Sequence, residues 1–452
     1  MAMTGTRIAV VGGGLAGLAA ALECADGGAE VTLYEARRRL GGATFSVDRK
    51  GYWTDNGQHV LLRCCVYYLA FLRRLGVEHL VAMQPRLRIP VLRENAPPAL
   101  LDRARLPAPF HLLPTLLRYE PLTRRERLAA IRAATALRKL DPNDPRLDRF
   151  TFGDWLRARG QSQRAVDALW NLIALPTLNV HADDASLAQA VQVFRTGLLD
   201  SADACDIGVA AVPLQQLHGD AAARALADAG ARVLVGAAVR GIDRETGGVR
   251  LQLDDGPDTA HAVIVAVPHY AASELLPPGA IESDPAELGV SPIVNVHVHY
   301  DRPVLGEPIA AVLDSPAQFL FDRTAASGVD RGQLLVVSLS AAEQEIGEPV
   351  ETLRARYLPA LERLLPAARD AEVLDFTVTR EPKATFRAAP GTRRLRPPQR
   401  TGVPGVYLAG AWTDTGWPAT MEGAVRSGLA AARAALDDLA VRVPAHAEAV
   451  AR

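Results

Sequence analysis

The stretch RIAVVGGGLAGL (Arg7–Leu18), followed by EVTLYE (Glu30–Glu35), decides how the chain begins to fold. Arg7–Val11 is a short apolar run of the kind that makes a buried strand. Gly12, Gly14 and Gly17 follow in G-x-G-x-x-G spacing, Leu15–Ala25 is rich in Ala and Leu as a helix requires, and Glu30–Tyr34 reads as a second strand closed by Glu35. A strand, a glycine turn, a helix, a strand and an acid in this order form a dinucleotide-binding fingerprint in its required context. Each glycine has a task. Gly12 permits the turn, Gly14 lets the backbone approach a pyrophosphate, and Gly17 lets helix and strand pack closely. The amides of Leu15 and Ala16 open the helix, whose N-terminus attracts phosphate. Glu35, placed to accept from ribose hydroxyls, favours an adenosine ribose without a 2′-phosphate.

Composition narrows the remainder. The chain has 452 residues, enough for two domains. Hydrophobic residues make up 49% and charged residues 22%, compatible with a packed core. A net charge of −1 gives no electrostatic case for nucleic acid. Lysine occurs only at Lys50, Lys139 and Lys383, so arginine supplies almost all the basic charge. Four cysteines make no disulfide framework and point to a reducing, cytoplasmic setting. No run of about 20 apolar residues is present to span a bilayer.

Beyond Glu35 and Ala36 come Arg39, Gly41, Gly42 and Ala43, then Asp55-Asn56-Gly57-Gln58-His59. Near the other end lie Gly405–Gly410, Ala411, Trp412, Thr420 and Met421. This combination resembles the flavin-dependent amine oxidase and carotenoid desaturase superfamily. The resemblance implies a Rossmann-type α/β FAD-binding domain interleaved with an α+β substrate domain. It implies that the fingerprint holds the adenosine end of FAD, and that a C-terminal strand, loop and helix cover the isoalloxazine. It extends the cofactor set to Ala36, Arg39, Gly41, Gly42, Ala43, Gly57, Gln58, His59, Val239, Gly410, Ala411, Trp412, Thr420 and Met421. No second G-x-G-x-x-G motif marks a separate nicotinamide domain. The FAD domain is then expected from residues 1–85, 205–275 and 395–440, the substrate domain from 86–204 and 276–394, and a tail from 441–452.

Between the ends, the pattern predicts helices at Cys64–Leu75, Thr123–Leu140, Phe152–Arg159, Arg164–Leu172 and Leu214–Asp228. Strands are predicted at Arg232–Val235, Val239–Leu253 (as a hairpin), Ala262–Val267, Val294–Tyr300, Ala317–Phe321 and Leu334–Leu339. Residues 85–122, rich in Pro and Leu, read as irregular.

An amine oxidase would carry a lysine on a substrate-domain strand facing the flavin, and an aromatic residue just before Met421. Here those positions fall at Asn295 and Thr420. A narrower likeness lies in Asp55–Leu62 with Cys64 and Cys65, Lys383–Phe386, Arg396-Pro397-Pro398 and Trp412–Gly423. These resemble hydroxysqualene dehydroxylases, also called squalene-associated FAD-dependent desaturases. The resemblance implies reduction of hydroxysqualene, a long-chain isoprenoid, to squalene, with an electron donor the sequence does not identify. Many relatives place Asp where this chain has Ala411, so a carboxylate contact to the cofactor is lost there.

Such chemistry needs a proton or hydrogen-bond donor for the departing hydroxyl and a dry apolar channel for the tail. Gln58 and His59 are expected at the polar end. His59 is the better donor because its ordinary pKa is about 6.5. Asn179 and Asn295 are further candidates for orienting the hydroxyl. Two other readings stay open: an isoprenoid desaturase or amine oxidase running the flavin in the oxidising direction, and a non-catalytic flavin-binding partner of an isoprenoid enzyme.

His297 and His299, two apart, fall on one face of a strand, but without a third ligand they read as structural, and no metal is expected. Cys64 and Cys65 read as buried thiols at a helix start. Phe110–Leu122 followed by Arg124, Arg125, Arg127, Arg132, Arg138 and Lys139 is a candidate peripheral membrane contact. The preferred reading there is a solvated arginine face, because Leu128, Ile131 and Leu137 suffice to bury the helix.

Overall fold

The computed structural model describes residues 5–49 and 51–439; the expected 441–452 tail lies outside them. Arg7–Val11 is a strand with four of its five side chains buried, and Leu15–Asp26 is the helix behind it. The strand is central in a five-stranded, all-parallel sheet. In spatial order the strands are Arg232–Val235, Glu30–Glu35, Arg7–Val11, Ala262–Val265 and Val406–Leu408. Ala262–Val265 is buried at every position, as a strand covered on both faces must be. One cover is the first helix, which packs on the long C-terminal helix Met421–Asp438. That contact is close because Gly428 lies against the backbone of the first helix. A Cβ at Gly428 would sit 2.1 Å from the Ala16 carbonyl oxygen.

A seven-stranded mixed sheet carries the second core. Its order is Val373–Thr385, Ser291–Tyr300, Gln333–Ser340, Phe319–Asp322, Ile309–Leu313, Arg88–Arg93 and Ala96–Asp102. The hairpin Arg88–Asp102 corrects the expectation of irregular chain over 85–122. Proline disguised it: Pro97 lies in the edge strand, where proline is tolerated, and Pro90 lies in the penultimate strand just short of its pairing with Ile309–Leu313, which begins at Val91.

Alternation gives this sheet two unlike faces. Val294, Val296 and Val298 face Leu353, Tyr357 and Leu361 of the helix Val350–Leu364. Asn295 and His297, on the intervening positions, face the other way.

The basic helix runs from Arg124 to Arg138, opened by a capping box in which Thr123 and Glu126 satisfy each other's backbone amides. Such a cap is worth about 1 kcal/mol. Leu128 does not bury it as expected, being 51% exposed; Ala129, Ala130, Ala133 and Leu137 do. The predicted helix Arg164–Leu172 extends to Leu178, and that at 214–228 opens with a wide π turn over Gln215–Asp220.

Candidate active site

The first helix opens at Gly14 with no side chain capping it, so its first amides, Leu15 and Ala16 among them, are available to an anion. Gly17 meets the turn so closely that a Cβ there would lie 1.9 Å from the Gly12 carbonyl oxygen. Glu35 is buried; it accepts from the Gly13 amide at 2.7 Å and from the Arg37 amide at 2.7 Å. The carboxylate therefore braces the glycine turn, and its remaining lone pairs suit ribose hydroxyls. The 39–43 loop lies over this turn. The Gly41 amide donates to the Gly13 carbonyl, Gly42 faces Gly14 backbone to backbone, and Arg39 donates to the Gly42 carbonyl while stacking on Phe45. Ala36 and Ala43 flank the same crossing, and Val239 begins a strand just beyond the one that pairs with Glu35. Uncapped amides, a braced acid and a backbone cleft fit the adenosine diphosphate half of FAD.

The other end of the chain returns to the same sheet. Gly410 donates its amide to Ser427, Trp412 donates to the Val267 carbonyl just past the strand Ala262–Val265, and Thr420 caps the helix that Met421 begins. Between them, Ala411 lies in a loop held by a buried arginine, Arg396. Its guanidinium donates to the carbonyls of Ala411, Trp412, Thr413 and Trp417. Burial lowers the Arg396 pKa to about 10, leaving it charged at neutral pH.

Gly57, Gln58 and His59 leave the strand Trp53–Asp55 toward the second sheet. A Cβ on Gly57 would stand 3.3 Å from His59 Nε2 and 3.9 Å from Asn295 Nδ2, so these three residues meet. Asn295 Nδ2 donates to the Asn56 carbonyl at 3.2 Å, and its Oδ1 is buried without a partner. Gln58 Nε2 is likewise buried and unpartnered. Two unpaired amide groups, one on Asn295 beside Gly57 and one on the neighbouring residue Gln58, call for polar ligands or water.

His297 joins this set. It is 1% exposed, and its Nε2 lies 3.1 Å from Thr379 Oγ1, which itself donates its proton to the Asn56 carbonyl. The Thr379 hydroxyl is thereby committed, so His297 Nε2 must carry hydrogen and its unpartnered Nδ1 is an acceptor. His299 lies apart, its Nε2 on the Arg331 carbonyl. Among the described residues no cluster of His, Cys, Asp or Glu could hold a metal.

Asn179 is not part of this group. It caps a helix in the left-handed conformation and spends its amide on the Ser291 carbonyl, Thr385 Oγ1 and the Ala341 amide. With both N–H groups and its oxygen engaged, it staples together the ends of three neighbouring strands and has no donor left for a substrate, contrary to the sequence expectation.

Sequence reasoning also missed Arg323. It pairs with Asp55 at 2.8 Å, both side chains under a tenth exposed, and donates to the Ala210 carbonyl. Asp55, Arg323, Gln58, His59 and Phe321 line one narrow crevice. Burial lowers the His59 pKa to about 4; Asp55 pulls it up and Arg323 pushes it down. His59 is therefore neutral at pH 7. It meets a hydroxyl as a neutral hydrogen-bond partner, not as a standing imidazolium. Nothing in the sequence distinguishes Arg323 from the other arginines.

From the polar corner, cross-strand neighbours change character in order. Thr379 pairs with Asn295, Asn295 with Ser338, Ser338 with Phe319 and Phe319 with Ala311. In the next row Thr377, His297, Val336, Phe321 and Ile309 follow one another. Phe321, Val336 and Ile309 pack with Leu87, Cys205 and Ile207. The face thus runs from hydrogen-bonding groups to an apolar floor.

Residues 15–436 match the family model of flavin-containing amine oxidoreductases. The chain belongs to that family and is an FAD-dependent oxidoreductase. Among similar proteins, a hydroxysqualene dehydroxylase of Sinorhizobium fredii is 28% identical, over 96% of this chain and 99% of the relative. A zeta-carotene desaturase of a Synechocystis strain is 26% identical, over 95% and 97%. Among solved structures, a putrescine oxidase triple mutant superposes with a TM-score of 0.74 at 20% identity, covering 96% of this chain and 99% of that one. At that identity the likeness shows the fold alone.

Proposed function

We propose that this enzyme removes the hydroxyl of hydroxysqualene reductively, yielding squalene. The observation that carries the reading is the polar corner at Gly57, His59 and Asn295, with its unpaired amide atoms, opening onto an apolar floor. A long hydrocarbon bearing one hydroxyl has the same division. Relatives at 28% and 29% identity bearing the name hydroxysqualene dehydroxylase support the same substrate.

Reduced FAD, held by the Leu15 and Ala16 amides and Glu35, would supply a hydride for the carbon that loses oxygen, and the oxygen would depart as water with one added proton. The protein's own residues do the rest. The Gln58 amide donates to the hydroxyl, and either Asn295 Oδ1 or His297 Nδ1 accepts its single proton, which orients the C–O bond. His59 stands beside them to pass the proton. Phe319, Phe321 and Val336 exclude water, which would otherwise capture a developing cation.

The desaturase relatives support a second reading, oxidation of an isoprenoid that has no hydroxyl. The test is an anaerobic single turnover. Photoreduced enzyme mixed with hydroxysqualene should reoxidise its flavin and release one equivalent of squalene. Flavin that stays reduced, while oxidised enzyme is bleached by a saturated isoprenoid, would overturn the proposal in favour of desaturation.

A further inference from the structure

A cavity of about 440 Å³ lies between the basic helix and the segments 109–116 and 169–200. That volume is in the range of sites for organic ligands. Its walls are mainly apolar: Leu113, Leu116, Ile131, Leu169, Ile173 and Phe194 contribute. Leu112 and Leu198 also line it, and these two residues pack on the cluster of Phe321 and Val336 beside the polar corner. Two leucines therefore stand between this cavity and the candidate active site.

The outer surface around the cavity is unusual in two independent ways. Among the described residues ten large hydrophobic side chains are exposed, and five of them lie between Leu100 and Leu128: Leu100, Leu106, Phe110, Leu117 and Leu128. Phe110 both lines the cavity and is 57% exposed, which puts it at the mouth. The same region is basic. Residues 101–140 hold nine Arg or Lys and three Asp or Glu, a net +6 in a chain of net −1. Arg105, Arg124, Arg125, Arg132 and Lys139 are exposed and make no ion pair among the described residues, whereas Arg118 and Arg138 pair with Asp102 and Asp200. On the helix, Arg125, Leu128, Arg132, Thr135 and Lys139 recur at three- and four-residue steps and form one exposed stripe. Thr135 and Lys139 also line the cavity.

We infer that this face docks on an anionic lipid bilayer, with Phe110, Leu117 and Leu128 entering the headgroup boundary and the unpaired cations reading its charge. The cavity mouth then opens toward the acyl region, and an apolar molecule passes from lipid to the Leu112–Leu198 wall without crossing water. Charge decides the occupant: a face of this sign beside exposed aliphatic and aromatic side chains matches an acidic membrane surface. The inference does not depend on the reaction proposed above, and vesicle binding is measured without turnover.

The experiment is flotation of the FAD-loaded protein with phosphatidylcholine vesicles, alone or with about 30% phosphatidylglycerol. Wild type should float with the acidic vesicles, release as salt rises, and bind the neutral ones weakly. Arg124→Glu/Arg125→Glu/Arg132→Glu should bind on the order of 100-fold more weakly, since each cation near the surface contributes about fivefold. Bound FAD and Tm should be unchanged in that variant. Phe110→Ser/Leu117→Ser should lose binding that is not recovered at low salt. Failure of wild type to float, equal binding to both vesicle types, or unchanged binding of either variant overturns the inference. So does a dimer in solution that Phe110→Ser/Leu117→Ser dissociates while flotation persists, since the face would then belong to a second copy of the chain.

Discussion

Replacing Arg323 by Gln should both destabilise the protein and retune His59. Arg323 and Asp55 are 7% and 4% exposed and 2.8 Å apart. Breaking such a pair from one side leaves a buried charge and costs about 3–5 kcal/mol. Asp55 keeps two donors, Ser46 Oγ at 2.6 Å and the Leu214 amide at 3.1 Å, so the lower end, about 3 kcal/mol, is expected. At about 2 °C per kcal/mol for a large chain, Tm should fall by about 6 °C. Asp55→Asn in the same chain removes the orphaned charge, so the double variant should be more stable than Arg323→Gln alone, with a coupling of about 2 kcal/mol. The effects on His59 have opposite signs. Loss of the Arg323 cation raises its pKa from about 4, and loss of the Asp55 carboxylate lowers it. Thermal melts at fixed FAD and the ring titration of His59 by NMR give both readouts. A cost under about 1 kcal/mol, or shifts of His59 in the same direction in both single variants, would refute the account of this pair.

Three further outcomes are expected. Gly17→Ala should give colourless protein by absorbance, because its Cβ would stand 1.9 Å from the Gly12 oxygen and the turn cannot close on FAD. His59→Ala should keep its flavin spectrum while single-turnover dehydroxylation slows by about 100-fold, the usual scale for a lost acid–base group. Stability should fall in acid: His59 has a pKa lowered to about 4, and His218 and His297 to about 3, chiefly by burial. Depressed values mean that the folded state binds these protons less readily than the unfolded chain, so stability is whole above about pH 6.5 and is lost as pH falls toward 3–4. Between pH 7 and 5 each histidine accounts for about 2 kcal/mol. His218→Gln, which can still meet the Tyr68 hydroxyl, should flatten the dependence of Tm on pH by one such share.

The parallel sheet was readable in Arg7–Glu35 because the constraints there are local. Glycine spacing, an apolar run and a helix-forming segment lie within 29 residues, and each restricts the backbone by itself. The hairpin Arg88–Asp102 was not readable, since the pattern that proline broke is restored only by its place at the sheet edge. The superfamily likeness marks Asn295, and it lies beside Gly57 and His59. Asn179 looked equally free in sequence, but three long-range hydrogen bonds consume its amide. In the sequence His297 reads as a structural strand histidine. Its acceptor nitrogen emerges only from the chain of bonds through Thr379 to Asn56.

Local sequence specifies the turn that receives a dinucleotide, because a phosphate cradle is made of consecutive backbone amides, and the likeness at the two chain ends points to FAD. It also indicated that the lysine of an amine oxidase is absent. Tertiary structure alone decided which polar atoms are left unpaired around the reacting corner, and which arginine among so many is buried against Asp55. Those properties depend on what a side chain meets from residues far along the chain. Burial and hydrogen-bond satisfaction arise there, and they set the protonation state of His59 and the free valences of Gln58, Asn295 and His297.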